Sequence, residues 1–244
     1  MYGLIGYPLG HSFSASFFNK KFADEGIPEH YELLPIETIE NLGTLIKSLP
    51  DLKGFNVTIP YKQQIIPLLS EIDEEAAEIG AVNVVKLYAD GTMKGFNTDA
   101  VGFRNSLSPL LKPHMKKALV LGTGGASKAV INVLKRLGLE VTKVSRNRGV
   151  DTLTYTDITP EIISAHHIIV NTTPLGMWPK VHEAPPLPYD ALTPLHLCYD
   201  LVYNPEITEF MKKSAEQGAT IKNGLEMLHL QALAAWEIWT NKEK

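Results

Sequence analysis

The sequence is poor in cysteine, since Cys198 is the one thiol among its 244 residues. A single cysteine cannot build a disulfide framework or a thiolate metal cluster within one chain. This cysteine usage fits a reducing compartment, so a cytoplasmic location is expected.

Long apolar runs and an excess of basic residues are also lacking. No stretch approaches the roughly 18 uncharged apolar residues of a transmembrane helix, and the N-terminus lacks the basic start of a signal peptide. The 23 Lys and Arg residues are outnumbered by 27 Asp and Glu residues, which gives a net charge of −4 and a pI near 6.1. Neither nucleic acid nor a membrane is therefore predicted as a partner. The sequence also shows no His, Cys and carboxylate cluster with metal-ligand spacing, so no metal is predicted.

Helical and extended patterns alternate from end to end, which predicts an α/β fold. At about 150 residues per domain, the length corresponds to roughly 1.6 domains. Strands are predicted at 2–6, 31–35, 54–58, 82–88, 92–96, 118–121, 141–145, 168–171, 197–201 and from 220 onward. Helices are predicted at 14–25, 39–49, 61–69, 98–110, 127–137 and 225–240. The proline-rich stretch 174–194 is predicted to be a long surface loop.

A glycine-rich turn follows the buried strand at 118–121 and opens a helix. Gly122 permits the tight turn, and Gly124 lets the backbone approach a pyrophosphate at the helix N-terminus. The strict G-x-G-x-x-G pattern is incomplete, because Ser127 stands at its third position. The strand–turn–helix context favours a dinucleotide site over an ordinary strand-to-helix turn.

The next strand ends in a basic segment about twenty residues further on. An NAD site would place an acidic residue there for the ribose hydroxyls. This chain instead has Lys143, Arg146 and Arg148 and no acid. The three cations suit a 2′-phosphate, although a solvated basic strand end is the common alternative. The pattern favours NADP over NAD.

Three segments of the first hundred residues carry polar groups at strand ends. Ser12 and Ser14 precede a predicted helix, where Ser14 could be the N-cap or help to hold a carboxylate. Lys62 falls in the first turn of a predicted helix, an unfavourable place for a cation, so it is either merely solvated or a general base. Asp99 begins another helix, either as a cap or as a partner of Lys62.

Taken together, the motifs resemble those of the shikimate dehydrogenase family, and the likeness runs almost from end to end. The segments that carry it are 6–14, 56–62, 80–83, 95–102, 122–129, 171–177, 200–205 and 223–228, with Gln231 shortly after. The resemblance implies reversible NADP-dependent reduction of 3-dehydroshikimate to shikimate, within the synthesis of aromatic amino acids. A quinate/shikimate dehydrogenase that uses NAD and a catalytically idle nucleotide-binding relative are the alternatives.

The resemblance also assigns roles to residues. It implies that Lys62 is the catalytic lysine and that Asp99 is its partner at the reacting hydroxyl. The substrate would be bound by Ser12, Ser14, Thr58, Asn83, Tyr203 and Gln231. The NADP site would be lined by Gly122, Gly124, Gly125, Ala126, Ser127, Ser145, Arg146, Thr172, Met177, Leu201 and Gly224.

The motif order predicts two domains and a cleft that holds the small-molecule substrate. Residues 1–103 and 223–244 would form the substrate-binding catalytic domain, because the last helix must carry Gln231 back to it. Residues 104–222 would form a Rossmann-like NADP-binding domain. The family has a full helix after the position of Arg148, whereas 149–159 is rich in β-branched residues and predicts a loop or at most one turn. The chain is expected to be a monomer or a homodimer.

Overall fold

The computed structural model describes residues 1–10 and 12–241, and these divide into two compact units. The first unit comprises Met1–Thr98 and the residues from Ala232 onward, and the second comprises Asp99–Gln231. Each unit is built around one six-stranded sheet. Among the described helices, none is long and apolar enough to cross a bilayer.

The described residues form twelve strands and eight α-helices. The strands are β1 (Tyr2–Gly6), β2 (Tyr31–Pro35), β3 (Gly54–Val57), β4 (Glu71–Ile72), β5 (Val84–Leu87), β6 (Met93–Phe96), β7 (Lys117–Leu121), β8 (Glu140–Ser145), β9 (Thr152–Thr154), β10 (Ile168–Asn171), β11 (Leu197–Asp200) and β12 (Thr220–Lys222). The helices are α1 (Phe13–Asp24), α2 (Leu42–Ser48), α3 (Glu74–Ile79), α4 (Thr98–Leu107), α5 (Gly125–Arg136), α6 (Pro160–Ala165), α7 (Glu209–Glu216) and α8 (Leu225–Thr240). The α/β class predicted from the alternating patterns is confirmed.

The sheet of the first unit is mixed, with strand order β2-β1-β3-β5-β6-β4. Strand β1 runs parallel to both β2 and β3, while β3, β5 and β6 pair in antiparallel fashion. Strands β5 and β6 correspond to the strands predicted at 82–88 and 92–96, and they form a hairpin. Its turn is stabilised where Asp90 accepts a hydrogen bond from the backbone N–H of Thr92 at 2.9 Å. Strand β4 has only two residues, too few for a period-2 pattern, and was not predicted.

Aromatic packing brings the last helix into the core of the first unit. Trp239 stacks on Tyr2, with ring centroids 4.7 Å apart, and lies 5.3 Å from Phe18. Its indole N–H donates to the carbonyl of Val85 at 3.0 Å. A Cβ at Gly54 would lie only 2.4 Å from the Trp239 ring, so a glycine is required for the ring to approach this closely. The last helix therefore returns to the first unit, but only from Ala232 onward, whereas Gln231, predicted to lie in the first domain, belongs to the second unit.

The sheet of the second unit is parallel throughout, with strand order β12-β11-β10-β7-β8-β9. The chain runs outward from β7 to β8 and β9, and then restarts with β10 on the other side of β7. The connection therefore changes direction between β7 and β10, and ligands of open α/β sheets bind at such a point. Strands β7, β10 and β11 are almost wholly buried, as expected for strands covered on both faces.

Three short helices were missed because their apolar periodicity is too brief to detect. Helices α3, α6 and α7 span six to eight residues, and each begins at a side-chain cap. The caps are Asp73, Thr159 and Thr208, which accept hydrogen bonds from backbone N–H groups one turn ahead. Capping residues are thus the signal that could have located these helices.

The segment after Arg148 differs in part from the prediction. It contains the short strand β9, which was not predicted, and then a single 3-10 turn, Tyr155–Asp157. No α-helix occupies 149–159, so the prediction of at most one turn is confirmed. The β-branched residues of the segment extend the sheet by one edge strand instead. The predicted long loop 174–194 is also confirmed, with one 3-10 turn at Tyr189–Ala191.

Candidate active site

The carboxyl ends of three neighbouring strands meet at the point where the second sheet changes direction. The Gly122 N–H donates to the Val144 carbonyl at 2.8 Å, which holds the end of β7 beside β8. On the other side, the Thr172 N–H and hydroxyl both donate to the Leu121 carbonyl, at 2.9 and 2.7 Å. The Leu201 N–H donates to the Asn171 carbonyl at 2.9 Å. Three residues predicted for the cofactor site, Gly122, Thr172 and Leu201, therefore lie along one edge of the sheet.

The glycines of the turn after β7 have different surroundings. Gly122 has φ of +109°, and a Cβ there would lie 2.6 Å from the Thr172 hydroxyl. By contrast, a Cβ at Gly124 or Gly125 would meet no other atom within 4 Å, so this part of the turn is open. Gly124 is the N-cap of α5, which begins two residues earlier than predicted. The turn thus leaves its backbone accessible next to the N-terminus of the twelve-residue helix α5. This arrangement binds anionic groups.

Ser127 and Ala126 lie in the first turn of α5, and Ser127 is turned inward. Its hydroxyl donates to the Gly124 carbonyl at 2.6 Å, and the residue is almost completely buried. Because the bond closes the glycine turn onto the helix, Ser127 supports the shape of the turn. Ala126 is half-buried, with a side chain small enough to leave the helix end accessible.

A cavity of about 530 Å³ lies beside the glycine turn. This volume is within the range of about 300–1,000 Å³ that is typical of small-molecule sites. It is lined by Thr123, Ser127, Lys128, Ile131, Lys143, Ser145, Asn147, Gly149 and Thr152. The predicted residues Ser127 and Ser145 are therefore in its wall, together with two lysines that suit an anionic ligand.

Arg146 follows the last residue of β8 and is exposed to solvent, but it is not part of this wall. Burial raises the pKa of Tyr155, and the positive charge of Arg146 partly offsets that rise, so the guanidinium is near this phenol. Arg148, two residues further along, donates from Nη2 to both carboxylate oxygens of Asp157 at 2.7 and 2.8 Å. The sequence identified both arginines but gave no indication of the Asp157 contact.

The remaining predicted cofactor residues lie in loops of the second unit. Met177 is half-exposed in the long loop after β10, where its N–H donates to the Pro174 carbonyl at 3.2 Å. Gly224 precedes α8, and a Cβ there would lie 2.1 Å from the Leu201 carbonyl oxygen. Leu201 and Gly224 are therefore in direct backbone contact, which brings the start of α8 to the sheet edge.

Asp200 is a polar residue at this edge to which sequence reasoning assigned no role. Its carboxylate accepts hydrogen bonds from the Asn171 amide at 2.9 Å, the Val202 N–H at 3.0 Å and the Thr208 hydroxyl at 2.6 Å. Burial nevertheless raises the pKa of Asp200 to about 6. The carboxyl joins the ends of β10 and β11 and stabilises the edge on which the cofactor residues stand.

In the first unit, the two predicted serines stand at the start of α1. Ser12 is the N-cap residue, and its side chain forms no capping hydrogen bond. The interpretation of Ser14 as the cap was wrong, because the helix begins at Phe13 and Ser14 is already its second residue. Ser14 instead hydrogen-bonds Tyr31, whose pKa is raised well above its usual value by burial and lowered in part by this bond. His11, which belongs to the same motif, lies outside the described residues.

Buried polar groups link Ser14 to the predicted residue Asn83. The Tyr31 hydroxyl donates to Asn56 Oδ1 at 2.7 Å, and Asn56 Nδ2 donates to the Asn83 carbonyl at 3.3 Å. The Asn83 side chain in turn accepts from the Thr98 N–H at 2.7 Å and donates to its hydroxyl at 3.1 Å. Ser14 and Asn83, both predicted to bind substrate, are thus joined through Tyr31 and Asn56. Sequence reasoning missed this link, because Tyr31 and Asn56 are 25 residues apart.

Lys62 does not lie in a helix, so the predicted position in a helical first turn was wrong. Residues 59–65 form successive turns, followed by the 3-10 helix Ile66–Leu68. Pro67 explains the difference, because it has no N–H to donate to the carbonyl of residue 63 and its ring would clash with that carbonyl in an α-helix. The unfavourable helix dipole invoked for Lys62 therefore does not apply. The Lys62 carbonyl accepts a hydrogen bond from the Val82 N–H at 2.7 Å. Lys62 is half-buried and lies four residues after Thr58, which follows the end of β3.

Helix α4, which carries Asp99, crosses α8 near Gln231 inside the second unit. Asp99 is in the first turn of α4, as predicted. One turn further along, a Cβ at Gly102 would lie 2.4 Å from the Met227 carbonyl and 3.1 Å from Gln231 Cβ. Since residues three apart share a helix face, Asp99 lies on the side of α4 that meets Gln231. Tyr203 lies in the loop after β11 and is exposed.

No group of three or more His, Cys, Asp or Glu residues in the described part of the chain could hold a metal ion. The residues present do fit a dinucleotide, because the turn at Gly124 is open and the adjoining cavity carries Lys128 and Lys143. A parallel sheet with a glycine turn at its switch point, in a chain that contains a second α/β unit, defines the class of two-domain dinucleotide-binding enzymes.

Comparison with known proteins identifies the family. A family model described as the shikimate dehydrogenase substrate binding domain matches residues 4–85. The chain is 37% identical over 259 residues to the shikimate dehydrogenase (NADP(+)) of Methanosphaera stadtmanae, a match that covers 98% of this chain and 91% of that protein. The chain therefore belongs to the shikimate dehydrogenase family.

Solved structures agree with this assignment. Shikimate 5-dehydrogenase from Thermus thermophilus, in complex with NADP(H) and shikimate, matches with a TM-score of 0.85 at 31% identity, over 98% of this chain and 92% of that one. Quinate dehydrogenase from Corynebacterium glutamicum, in complex with NAD, matches with a TM-score of 0.88 at 28% identity, over 99% of this chain and 94% of that one. The predicted fold of a substrate-binding domain joined to a Rossmann-like domain is thereby confirmed.

Proposed function

We propose that this protein is an NADP-dependent shikimate dehydrogenase that interconverts shikimate and 3-dehydroshikimate. The observation that carries the proposal is the 37% identity, over 98% of the chain, to a protein of that name. The open glycine turn and the lysine-lined cavity of the second unit support a nucleotide cofactor in the same chain. The first unit would supply the substrate-binding domain and the second unit the cofactor-binding domain. A cytoplasmic location stays a prediction from the cysteine content.

Lys62 and Asp99 are the residues proposed for proton transfer. Oxidation of a secondary alcohol requires that the hydroxyl proton leaves as the C–H bond breaks. The Lys62 amine would accept this proton when the alcohol is oxidised and return it when the ketone is reduced. Asp99 would orient the amine and the hydroxyl relative to each other. Bound NADP would supply the hydride chemistry, so the protein needs only to orient the reactants and exclude water.

The substrate carboxylate is assigned to Ser12 and Ser14, with help from Tyr203. Ser12 Oγ forms no capping bond to α1, which supports a role outside the helix. Ser14 is anchored by Tyr31 and so has a defined orientation. Hydroxyl groups next to a helix N-terminus are well suited to bind a carboxylate.

The ring hydroxyls of the substrate are assigned to Thr58, Asn83 and Gln231. Asn83 is held rigidly by Thr98, which fixes its amide orientation. Gln231 is mostly buried beside α4, and Thr58 ends β3 with its N–H bound to the Ile5 carbonyl at 2.9 Å. Pre-ordered polar side chains of this kind are effective because little entropy is lost on binding.

A quinate dehydrogenase that uses NAD is the second candidate. The ion pair between Arg148 and Asp157 favours it, because that pair engages one of the three cations predicted for a 2′-phosphate. A catalytically idle relative is disfavoured, since such a protein would have no chemical need for both Lys62 and Asp99.

The test is the absorbance of the reduced nicotinamide with shikimate and NADP, then with NAD, and then with quinate in place of shikimate. Turnover fastest with shikimate and NADP is expected. Faster turnover with quinate and NAD would favour the second candidate. Absence of turnover with every pair would refute the assignment as a dehydrogenase.

A further inference from the structure

The segment that replaces a helix after β8 forms part of the proposed cofactor cavity. Asn147 and Gly149 both line the cavity, and Arg148 lies between these two wall residues in the sequence. Lys143 lies in the same wall, and its ammonium donates to the Val150 carbonyl at 3.1 Å. Both cations therefore have partners within the protein, but the partner of Lys143 is a neutral carbonyl group.

The partner of Arg148 is a carboxylate that is fixed independently of the arginine. Asp157 accepts hydrogen bonds from the backbone N–H and the hydroxyl of Thr154, both at 2.7 Å, and closes a capping box before the 3-10 turn. Its side chain is 27% exposed, whereas that of Arg148 is 68% exposed. Asp157 is thus the anchored partner, and Arg148 is the one that can turn away.

A carboxylate and a phosphate use the same donors of a guanidinium group, and a phosphate monoester carries about two negative charges near neutral pH. We propose that Asp157 is a specificity-determining residue, which competes with the 2′-phosphate of the cofactor for Arg148 and so weakens the preference for NADP over NAD. The inference rests on the proposed cofactor site. Loss of the Asp157 charge should release Arg148 to the 2′-phosphate without changing the binding of nucleotides that lack this group.

The expected effect is moderate, because an exposed ion pair of this kind is weak. Asp157→Asn should tighten the binding of 2′,5′-ADP by about 3- to 10-fold and leave the binding of 5′-AMP unchanged. The asparagine retains an oxygen that can accept from the Thr154 N–H, so the turn should stay folded. Isothermal titration calorimetry with 2′,5′-ADP and 5′-AMP measures the ratio directly and does not require turnover.

Glu140→Gln provides a matched control. It removes the same charge from Glu140, the first residue of β8. Glu140 is about 17 Å along the strand from Ser145 at the cavity, which exceeds a Debye length of roughly 8–10 Å, so its charge is screened from the ligand. Glu140 is exposed and pairs with Lys117 at 2.7 Å. This variant should leave the affinity for 2′,5′-ADP unchanged.

The double variant Arg148→Gln with Asp157→Asn distinguishes two explanations for tighter binding. One is the release of Arg148, and the other is the loss of direct repulsion between Asp157 and the phosphate. If Asp157 acts through Arg148, the gain for 2′,5′-ADP should disappear in the double variant. A gain that persists without Arg148, an equal gain for 5′-AMP, or no gain in Asp157→Asn would each overturn the proposal. Wild-type protein that binds neither nucleotide would refute the proposed cofactor site, and this inference with it.

Discussion

Gly122 and Gly124, both in the turn after β7, should respond in different ways to the addition of one methyl group. Gly122 has φ of +109°, and an added Cβ would lie 2.6 Å from the Thr172 hydroxyl, which donates to the Leu121 carbonyl. The strained backbone conformation costs about 1–2 kcal/mol for an L-residue. Displacement of the threonine hydroxyl costs about another 1 kcal/mol. Gly122→Ala should therefore lower the free energy of unfolding by about 2–3 kcal/mol.

Gly124→Ala should leave the fold stable and weaken cofactor binding instead. Gly124 has φ of −76°, and its added methyl group would meet nothing within 4 Å. The stability should change by less than about 1 kcal/mol, because reduced entropy of the unfolded chain and a poorer N-cap nearly cancel. The methyl group would occupy the surface proposed for the pyrophosphate, so NADP affinity should fall at least about tenfold, or 1.4 kcal/mol.

Urea unfolding and calorimetric titration with NADP measure the two effects on the same samples. If Gly124→Ala binds NADP as tightly as wild type, the turn does not approach the cofactor. If Gly122→Ala is as stable as wild type, the conformational requirement assigned to this residue is wrong.

Three further predictions concern charge. Arg146→Ala should weaken NADP binding much more than NAD binding in calorimetry, and equal losses would refute a role at the 2′-phosphate. Because burial raises the pKa of Asp200 to about 6, its ionisation destabilises the fold as pH rises from about 4 to 7. In urea unfolding over that range, the free energy of unfolding of Asp200→Asn should therefore rise by up to about 3 kcal/mol relative to that of wild type. A difference between the two proteins that does not change with pH would contradict this. Burial, reinforced by the neighbouring histidines, lowers the pKa of His167. The folded state therefore disfavours protonated His167, so the free energy of unfolding should fall as the pH drops below 6.5. In urea unfolding, His167→Gln should show a smaller fall than wild type.

The parts of the fold that local pattern determines could be predicted from the sequence. Buried apolar runs located β7, β10 and β11. The glycine turn indicated the cofactor edge, because glycines between a buried strand and a helix allow the backbone to approach a pyrophosphate. The predicted end of helix α5 at 137 coincides with its C-cap, and Gly138, the next residue, has φ of +79°, the left-handed conformation in which glycine commonly follows a helix. The return of α8 to the first unit followed from the resemblance and is explained by the burial of Trp239.

The contacts that position the site could not be predicted, because they join residues distant in sequence. The link from Tyr31 to Asn56 depends on the order of strands β1, β2 and β3, which periodicity does not encode. The pairing of Arg148 with Asp157 depends on strand β9, which is too short to leave a pattern. Lys62 was placed in a helix because the apolar spacing of its segment outweighed the signal from Pro67.

The most direct test of the proposed function is the turnover number of Lys62→Ala with shikimate and NADP. Removal of the general base should lower kcat by about 100-fold or more, while the circular dichroism spectrum stays unchanged. Lys20→Ala is the matched control, because Lys20 lies in the same unit, is 76% exposed and forms an ion pair with Asp24 on α1. Its kcat should equal that of wild type. A near-normal kcat for Lys62→Ala would remove Lys62 from the mechanism and contradict the proposed chemistry.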